Sequence, residues 1–385
     1  MNSKLSNLLL GSILLSISTG SVATLLLGPD LVGYSAVAGA ALNISADSIV
    51  TGDLGALAAI DIGAGTDTAN IYSATGAVGT GAGGNAGNIY SGAAVSVAAS
   101  STVKNVYAQA AVTLGASGSA ENIYAGAAIT LGALSTSLDV YAAAAITGAG
   151  ENSKTASAST STAAVIGLYK EIFDIDSALE QLGNAQDSLF SLEEDFNLKV
   201  GYGSHVFEPG VWKGSAVTIA ASSIIQFDGM GEENPIWVFN LEAALVIGAA
   251  TQFEIIRAGE GASVIWNLGG AMSLGAGTSF IGSAFITGAV AAATSKVSCG
   301  NLFTTTAIGI ASTISSNCKG TDTWAGSING LAYGIDITDG IISNKSIPSF
   351  KALALSPVLV SEPSTGLMIS SFALMFFAGR LKRKA

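Results

Sequence analysis

Apolar and polar positions recur along residues 70–148 with a short, nearly constant period. The tripeptides Asn70-Ile71-Tyr72, Asn88-Ile89-Tyr90, Asn105-Val106-Tyr107, Asn122-Ile123-Tyr124 and Asp139-Val140-Tyr141 place their tyrosines 18, 17, 17 and 17 residues apart. A period below about 20 residues is too short for a helical-repeat unit and suits one coil of a β-solenoid. A second strand follows each tyrosine: Val95-Ser96-Val97, Val112-Thr113-Leu114, Ile129-Thr130-Leu131 and Ile146-Thr147-Gly148. Strand side chains alternate, so the valines, leucines and isoleucines point into the coil while Ser96, Thr113, Thr130 and Thr147 point out. Stacked coils then align these four hydroxyls in a column with about 4.8 Å between rungs.

The period changes after a polar stretch, Glu151 to Ser161. Val165, Leu168, Ile172, Ile175, Leu179 and Leu182 are spaced alternately three and four apart, and Leu189, Leu192 and Phe196 resume the pattern. This is one apolar helical stripe, predicting a helix over 162–196 that Gly183-Asn184 either kinks or ends. Unbroken, it is roughly 52 Å long, the height of about eleven rungs, and a solenoid wall supplies the surface it needs to cover.

Lys4, an apolar run from Leu8 to Ile17 and the small residues Ser21-Val22-Ala23 predict a secretory signal over 1–23, with a mature start near Thr24. Leu27 to Gly55 reads as the first strands, and Val206 to about Ile335 returns to short strands bounded by glycine. Residues 336–360 read as a linker. Ser361-Glu362-Pro363 then introduces a short apolar run, Gly366 to Gly379, closed by Arg380-Leu381-Lys382-Arg383-Lys384. Fourteen such residues are short for a hydrocarbon layer of about 30 Å, and beside a basic cluster they form a sorting tail over 361–385 that touches the membrane transiently.

Composition narrows the function classes. Only 11% of the 385 residues are charged, and 48 are glycine, as in a repetitive extracellular β-protein. The formal charge is −12, and removal of both termini takes away Lys4, Arg380, Lys382, Arg383 and Lys384 but no carboxylate. Such a surface repels nucleic acid. His205 is the only histidine, so Ser-His-Asp, Cys-His and histidine-based metal sites cannot be assembled, and neither an enzyme nor a cofactor is expected. Cys299 and Cys318 are 19 residues apart, about one coil, which predicts a disulfide between neighbouring rungs; two unpaired buried thiols are the alternative.

Pro209-Gly210-Val211-Trp212-Lys213, Phe227-Asp228-Gly229, Ile236-Trp237-Val238-Phe239-Asn240, Ser263 to Leu268 and Leu274 to Gly282 occur in the order found in the ice-binding-like domain of microbial antifreeze proteins, and Thr51-Gly52-Asp53-Leu54-Gly55 resembles that family's N-terminal signature. The resemblance spans roughly Leu27 to Ile286. It implies a mainly β fold, a right-handed, discontinuous β-solenoid of triangular section with one long helix along its side, occupying 24–335 with the coils of 63–150 as an extension. The tail is similar to the PEP-CTERM signal read by an exosortase, although Ser361 stands where that motif has its first proline.

The resemblance implies a secreted or surface-displayed protein whose partner is an ice or water surface. The periodic candidate face is the hydroxyl column Ser96, Thr113, Thr130 and Thr147, flanked by Ala94, Ala111, Ala128 and Ala145 on one side and by small residues on the other. Small residues also simply let coils stack. Tyr90, Tyr107, Tyr124 and Tyr141 form a second ladder, either an aromatic platform for an exopolysaccharide or a packed structural column. The Thr-x-Thr triplets at Thr66, Thr160, Thr304 and Thr321 share no period. A structural or adhesive protein of the cell envelope is the competing reading.

Overall fold

The computed structural model describes residues 24–25, 31, 33–148, 155–158, 174–259, 261–298, 300–315, 335–338 and 341–344. Nearly all strands belong to one parallel array that winds as a β-solenoid of about fourteen rungs with three walls. In the extension Ile89–Ser91 lies in the first wall, Val95–Val97 in the second and Asn85–Ala86 in the third, and from Thr102–Ala108 onward one seven-residue strand runs from the third wall into the first. In the second wall, Val95–Val97, Val112–Leu114 and Ile129–Leu131 alternate buried, exposed, buried, as the β-branched pattern predicts.

The order of rungs in space differs from their order in sequence. Tyr34–Ala38 and Leu42–Ile44 lie in the middle of the stack, and the chain climbs from them, coil by coil, to Thr136–Ala142 and Ile146–Gly148 at one end. Past the helix, Phe196–Asn197 starts the opposite end, and the chain winds back until Leu302–Thr304 pairs with Tyr34–Ala38 and Ile308–Ser315 with Leu42–Ile44. The solenoid is therefore discontinuous, with a seam where segments some 260 residues apart become neighbouring rungs.

The interior is one continuous apolar column, aliphatic in the extension and aromatic below the seam, where Phe227, Phe239, Phe253, Trp266 and Phe280 interlock with centroids 4.2–6.2 Å apart. A second core lies outside the first wall. There helix α1 (Ile175–Phe190) buries Ile175, Ala178, Leu182, Ala185 and Leu189 against Val37, Val238, Ile265, Phe285 and Phe303. Asp174 caps the helix by accepting from the Ser177 amide at 3.2 Å. Near its other end, the side chains of Asn267, Asn240 and Lys213 donate to the carbonyls of Gln186, Leu189 and Phe190, so the wall holds the helix by hydrogen bonds as well as by apolar contact.

Three sequence expectations change. The helix ends at Phe190 instead of Phe196 and passes through Gly183-Asn184 without a break; residues 162–173, the first part of the expected helix, lie outside the described residues. Phe196 continues the apolar spacing by coincidence, because it belongs to a wall strand and stacks on Trp212 at 4.3 Å. Within the expected linker of 151–161, Thr155–Ala158 pairs in parallel with Asp139–Ala142 and adds a rung. Ile335–Thr338 and Ile341–Asn344, at the start of the linker expected over 336–360, form an antiparallel pair that Thr24–Leu25 joins as a third strand. Cys299, Cys318, Ser361, Glu362, Pro363 and the rest of the tail lie outside the described residues.

Candidate functional site

The predicted hydroxyl column is formed. Ser96, Thr113, Thr130 and Thr147 are in register on the second wall, all exposed, and the hydroxyls of Thr130 and Thr147 are 3.5 Å apart. The column does not stop at the extension. Register continues downward through Gly79, Asp61 and Asn43, crosses the seam to Gly309, and runs on through Ala291, Ser273 and Val246 to Thr218; Gly201 pairs below Thr218 on a last rung, where Lys199 replaces the flanking alanine described next, so the strip is counted from Thr147 to Thr218. Twelve rungs thus present one outward position each, roughly 53 Å from end to end at about 4.8 Å per rung.

An alanine stands two residues before that position on every one of these rungs. Ala94, Ala111, Ala128 and Ala145 continue into Ala77, Ala59 and Ala41, then across the seam into Ala307, Ala289, Ala271, Ala244 and Ala216. Backbone bonds confirm the column: the Val95 amide donates to Ala111 O and the Ile308 amide to Ala41 O, each at 3.0 Å. The signal for the lower half was present in the sequence as Ala followed by apolar, any residue, apolar. It is hidden there because successive column residues from Thr218 to Gly309 are 28, 27, 18 and 18 apart, longer coils replacing the constant 17.

Stacking explains part of this smallness and not the rest. Two residues after the column position lie Gly63, Gly81, Gly115, Gly132, Gly248 and Gly275; a Cβ on Gly115 would lie 2.6 Å from the Ala98 carbonyl carbon. That flank must be small for the coils to approach. In the central column a Cβ on Gly309 would meet nothing closer than 4.0 Å, and one on Gly79 would meet only the end of the Asp61 side chain, at 3.0 Å, so backbone stacking does not limit side-chain size there, yet only Val246, Asn43 and Asp61 depart from Gly, Ala, Ser and Thr. Asp61 is the single charge in the column.

The tyrosines form the second predicted ladder. Tyr72, Tyr90, Tyr107, Tyr124 and Tyr141 stack with ring centroids 4.8–5.0 Å apart and planes within 10° of parallel. They point outward from the first wall, the wall that carries helix α1, and Gly55 occupies their column on the next rung, where the Ile175 side chain fills the space a Cβ would need. Burial, with Asp53, Tyr34 and Tyr90 nearby, pushes the Tyr72 phenol far up.

Other sequence candidates take structural places. His205 packs against Tyr202 and Phe207, with centroids 4.8 and 4.6 Å away, and burial followed by the nearby Lys199 lowers its pKa. Within the acidic run at the helix end, Asp195 accepts from the Val211 amide at 2.8 Å. Of the Thr-x-Thr triplets, Thr66 and Thr304 turn their hydroxyls to backbone carbonyls of Ser45 and Gly288. Among the described residues, no group of three or more His, Cys, Asp or Glu is placed to hold a metal, and no helix is long and apolar enough to cross a membrane.

The family model described as Ice-binding-like matches residues 120–315. No curated protein matches the chain in sequence. Similar solved structures include an ice-binding protein from the Antarctic ascomycete Antarctomyces psychrotrophicus, at 15% identity and TM-score 0.40 over 77% of this chain and 98% of that one. The DUF3494 domain of an ice-binding protein from Shewanella frigidimarina is similar at 17% identity and TM-score 0.40, over 77% and 98% of the two chains. An ice-binding protein from an Arctic yeast is similar at 14% identity and TM-score 0.38, over 73% and 90%.

Proposed function

The chain belongs to the ice-binding-like family, and we propose that it adsorbs to ice through the twelve-rung strip of the second wall. The observation that carries this reading is the central column, whose residues stay small where stacking leaves room for larger ones. A strip of methyls and hydroxyls at a regular spacing, without bulky or charged groups over most of its length, holds a layer of ordered water and joins the ice lattice through it. No covalent chemistry is involved. The reading includes export through the N-terminal signal and processing of the tail by an exosortase-like enzyme, giving a secreted or envelope-displayed protein. Micromolar purified protein is expected to inhibit ice recrystallisation. Thr130→Arg on the strip abolishes the effect, whereas Thr136→Arg, exposed on the third wall, retains it. If the parent leaves recrystallisation unchanged, or both variants behave alike, the strip is not the ice surface.

A second reading is favoured by the extension, whose near-identical rungs lengthen a stiff rod while repeating the same few side chains. On it the protein is a spacer or adhesin of the cell envelope, and it binds exopolysaccharide from its own source without acting on ice.

A further inference from the structure

Three aspartates, Asp53, Asp61 and Asp67, share the rung next above Tyr34–Ala38 and Leu42–Ile44, and two of them are met from the following rung by an asparagine. Asn70, 17 residues on, donates its backbone amide and its Nδ2 to Asp53 Oδ1, each at 3.0 Å. Asn85, 18 residues on, donates to Asp67 Oδ1 at 2.7 Å. Asp61 has Gly79 in that place, again 18 residues on. Glycine offers no side-chain donor. Among the described residues the one ion pair joins Arg257 to Asp228, so the exposed Asp61 carboxylate keeps its charge unpaired.

Its place in the strip is equally specific. Ile60 and Ile62 are buried on either side of it, which turns Asp61 out of the second wall, in register with Asn43 below and Gly79 above. A Cβ on Gly79 would lie 3.0 Å from Asp61 Oδ1 and would meet nothing else within 4 Å. Rungs are about 4.8 Å apart, so the carboxylate leans upward and carries one oxygen into the space of the missing side chain. Beyond Gly79 the column goes on through Ser96, Thr113, Thr130 and Thr147. Gly79 is the single glycine of the column above the seam, and the side chain of the rung below occupies its gap.

We propose that Asp61 supplies the ice-contacting oxygen of the Gly79 rung, and that Gly79 is the positioning residue that makes room for it. This role rests on the ice reading of the strip and adds a requirement at the level of single residues. A carboxylate oxygen, which only accepts hydrogen bonds, stands in line with hydroxyls that both donate and accept. Raised above methyls and hydroxyls, a charged group keeps its own water and holds a flat partner away, because stripping that water is costly. Folded into a gap, it offers its oxygen at the level of its neighbours. Gly79→Thr looks from the sequence like the completion of a threonine column, and the geometry dictates the reverse: the new side chain takes the space of Oδ1 and drives the carboxylate outward.

Ice recrystallisation with purified protein tests it, read as the lowest concentration that arrests crystal growth, with thermal unfolding recorded for each variant. Gly79→Thr is expected to raise that concentration about tenfold, through the displaced charge. Asp61→Ala leaves two successive rungs without an oxygen and is expected to raise it about threefold. Combined, the two substitutions leave one oxygen on the Gly79 rung and no charge to displace, so the double variant is expected to return close to the parent, with all unfolding midpoints unchanged. Gly79→Ser repeats the first substitution with a smaller side chain and is expected to carry the same sign. An active parent whose Gly79→Thr and Gly79→Ser variants are as potent as it, or a double variant at least as weak as the two single losses combined, overturns the role of the pair and leaves the strip as the ice surface. A parent without effect on recrystallisation removes the ice reading and this role with it.

Discussion

At one turn of nine rungs the backbone enters the left-handed region, and the residues found there are of unequal fitness for it. Gly65, Gly83 and Gly277 take it without cost, but Asp47, Ser100, Ser117, Leu134, Ser222 and Ala250 take it with φ between 55° and 60°. A Cβ in this region costs about 1–2 kcal/mol. Leu134 combines φ 60° with 59% exposure, so its side chain contributes little packing in return. Leu134→Gly is therefore expected to raise the unfolding midpoint by about 2 °C, a gain of about 1 kcal/mol. Gly115→Ala carries the opposite sign, because its Cβ would collide with the rung below; a loss of about 1–3 kcal/mol in denaturant unfolding is expected. Equal midpoints for the two variants would refute this account of the turns. The turn column was not legible in the sequence, since leucine and alanine are not turn formers and only stacking imposes their conformation.

Elements in the extension are locked by a ladder of amides. Asn70, Asn88, Asn105 and Asn122 each donate through Nδ2 to the Oδ1 of the preceding rung, at 3.0, 3.1, 2.8 and 2.8 Å, and the chain of bonds ends on Asp53. Burial raises the pKa of Asp53, and its bonds from the Asn70 amide and side chain offset only part of the effect. A carboxyl raised in the folded state favours folding in its protonated form, so its penalty is absent below the ordinary carboxylate range and grows as pH rises through the folded pKa. Asp53→Asn keeps the accepting oxygen and removes the buried charge. It is expected to be more stable than the parent at pH 7 and indistinguishable from it at pH 3, measured by urea unfolding; a variant less stable at pH 7 would show that the charge is needed. The repeating Asn-x-Tyr tripeptide made these rungs legible from the sequence. The helix was legible as a stripe but not at its end, because Phe196 shares the helical spacing while pairing as a strand.

Across the whole molecule the seam decides whether the two halves act as one body. Leu302–Thr304 and Ile308–Ser315 complete the walls begun by Tyr34–Ala38 and Leu42–Ile44, and buried polar groups tie the junction: Asn301 donates to the Tyr34 carbonyl and accepts from Ser283 at 2.9 Å, while the Ser35 hydroxyl accepts from the Gly52 amide at 2.9 Å. Breaking such buried bonds one-sidedly costs about 1–3 kcal/mol each. The coil period and the period switch made a solenoid with a side helix legible, but nothing local told that strands near residue 36 would sit between coils 53–73 and 283–304. For the same reason the candidate strip was legible as four rungs and not as twelve. The central claim is that the twelve rungs act as a single adsorbing face, and fluorescently labelled protein on a growing single crystal of ice tests it most directly. The parent is expected to coat the crystal, and Thr113→Arg above the seam and Ser273→Arg below it are each expected to abolish the coating with the melting curve unchanged. A parent that stays in the liquid, or a crystal still coated by both variants, would contradict the account.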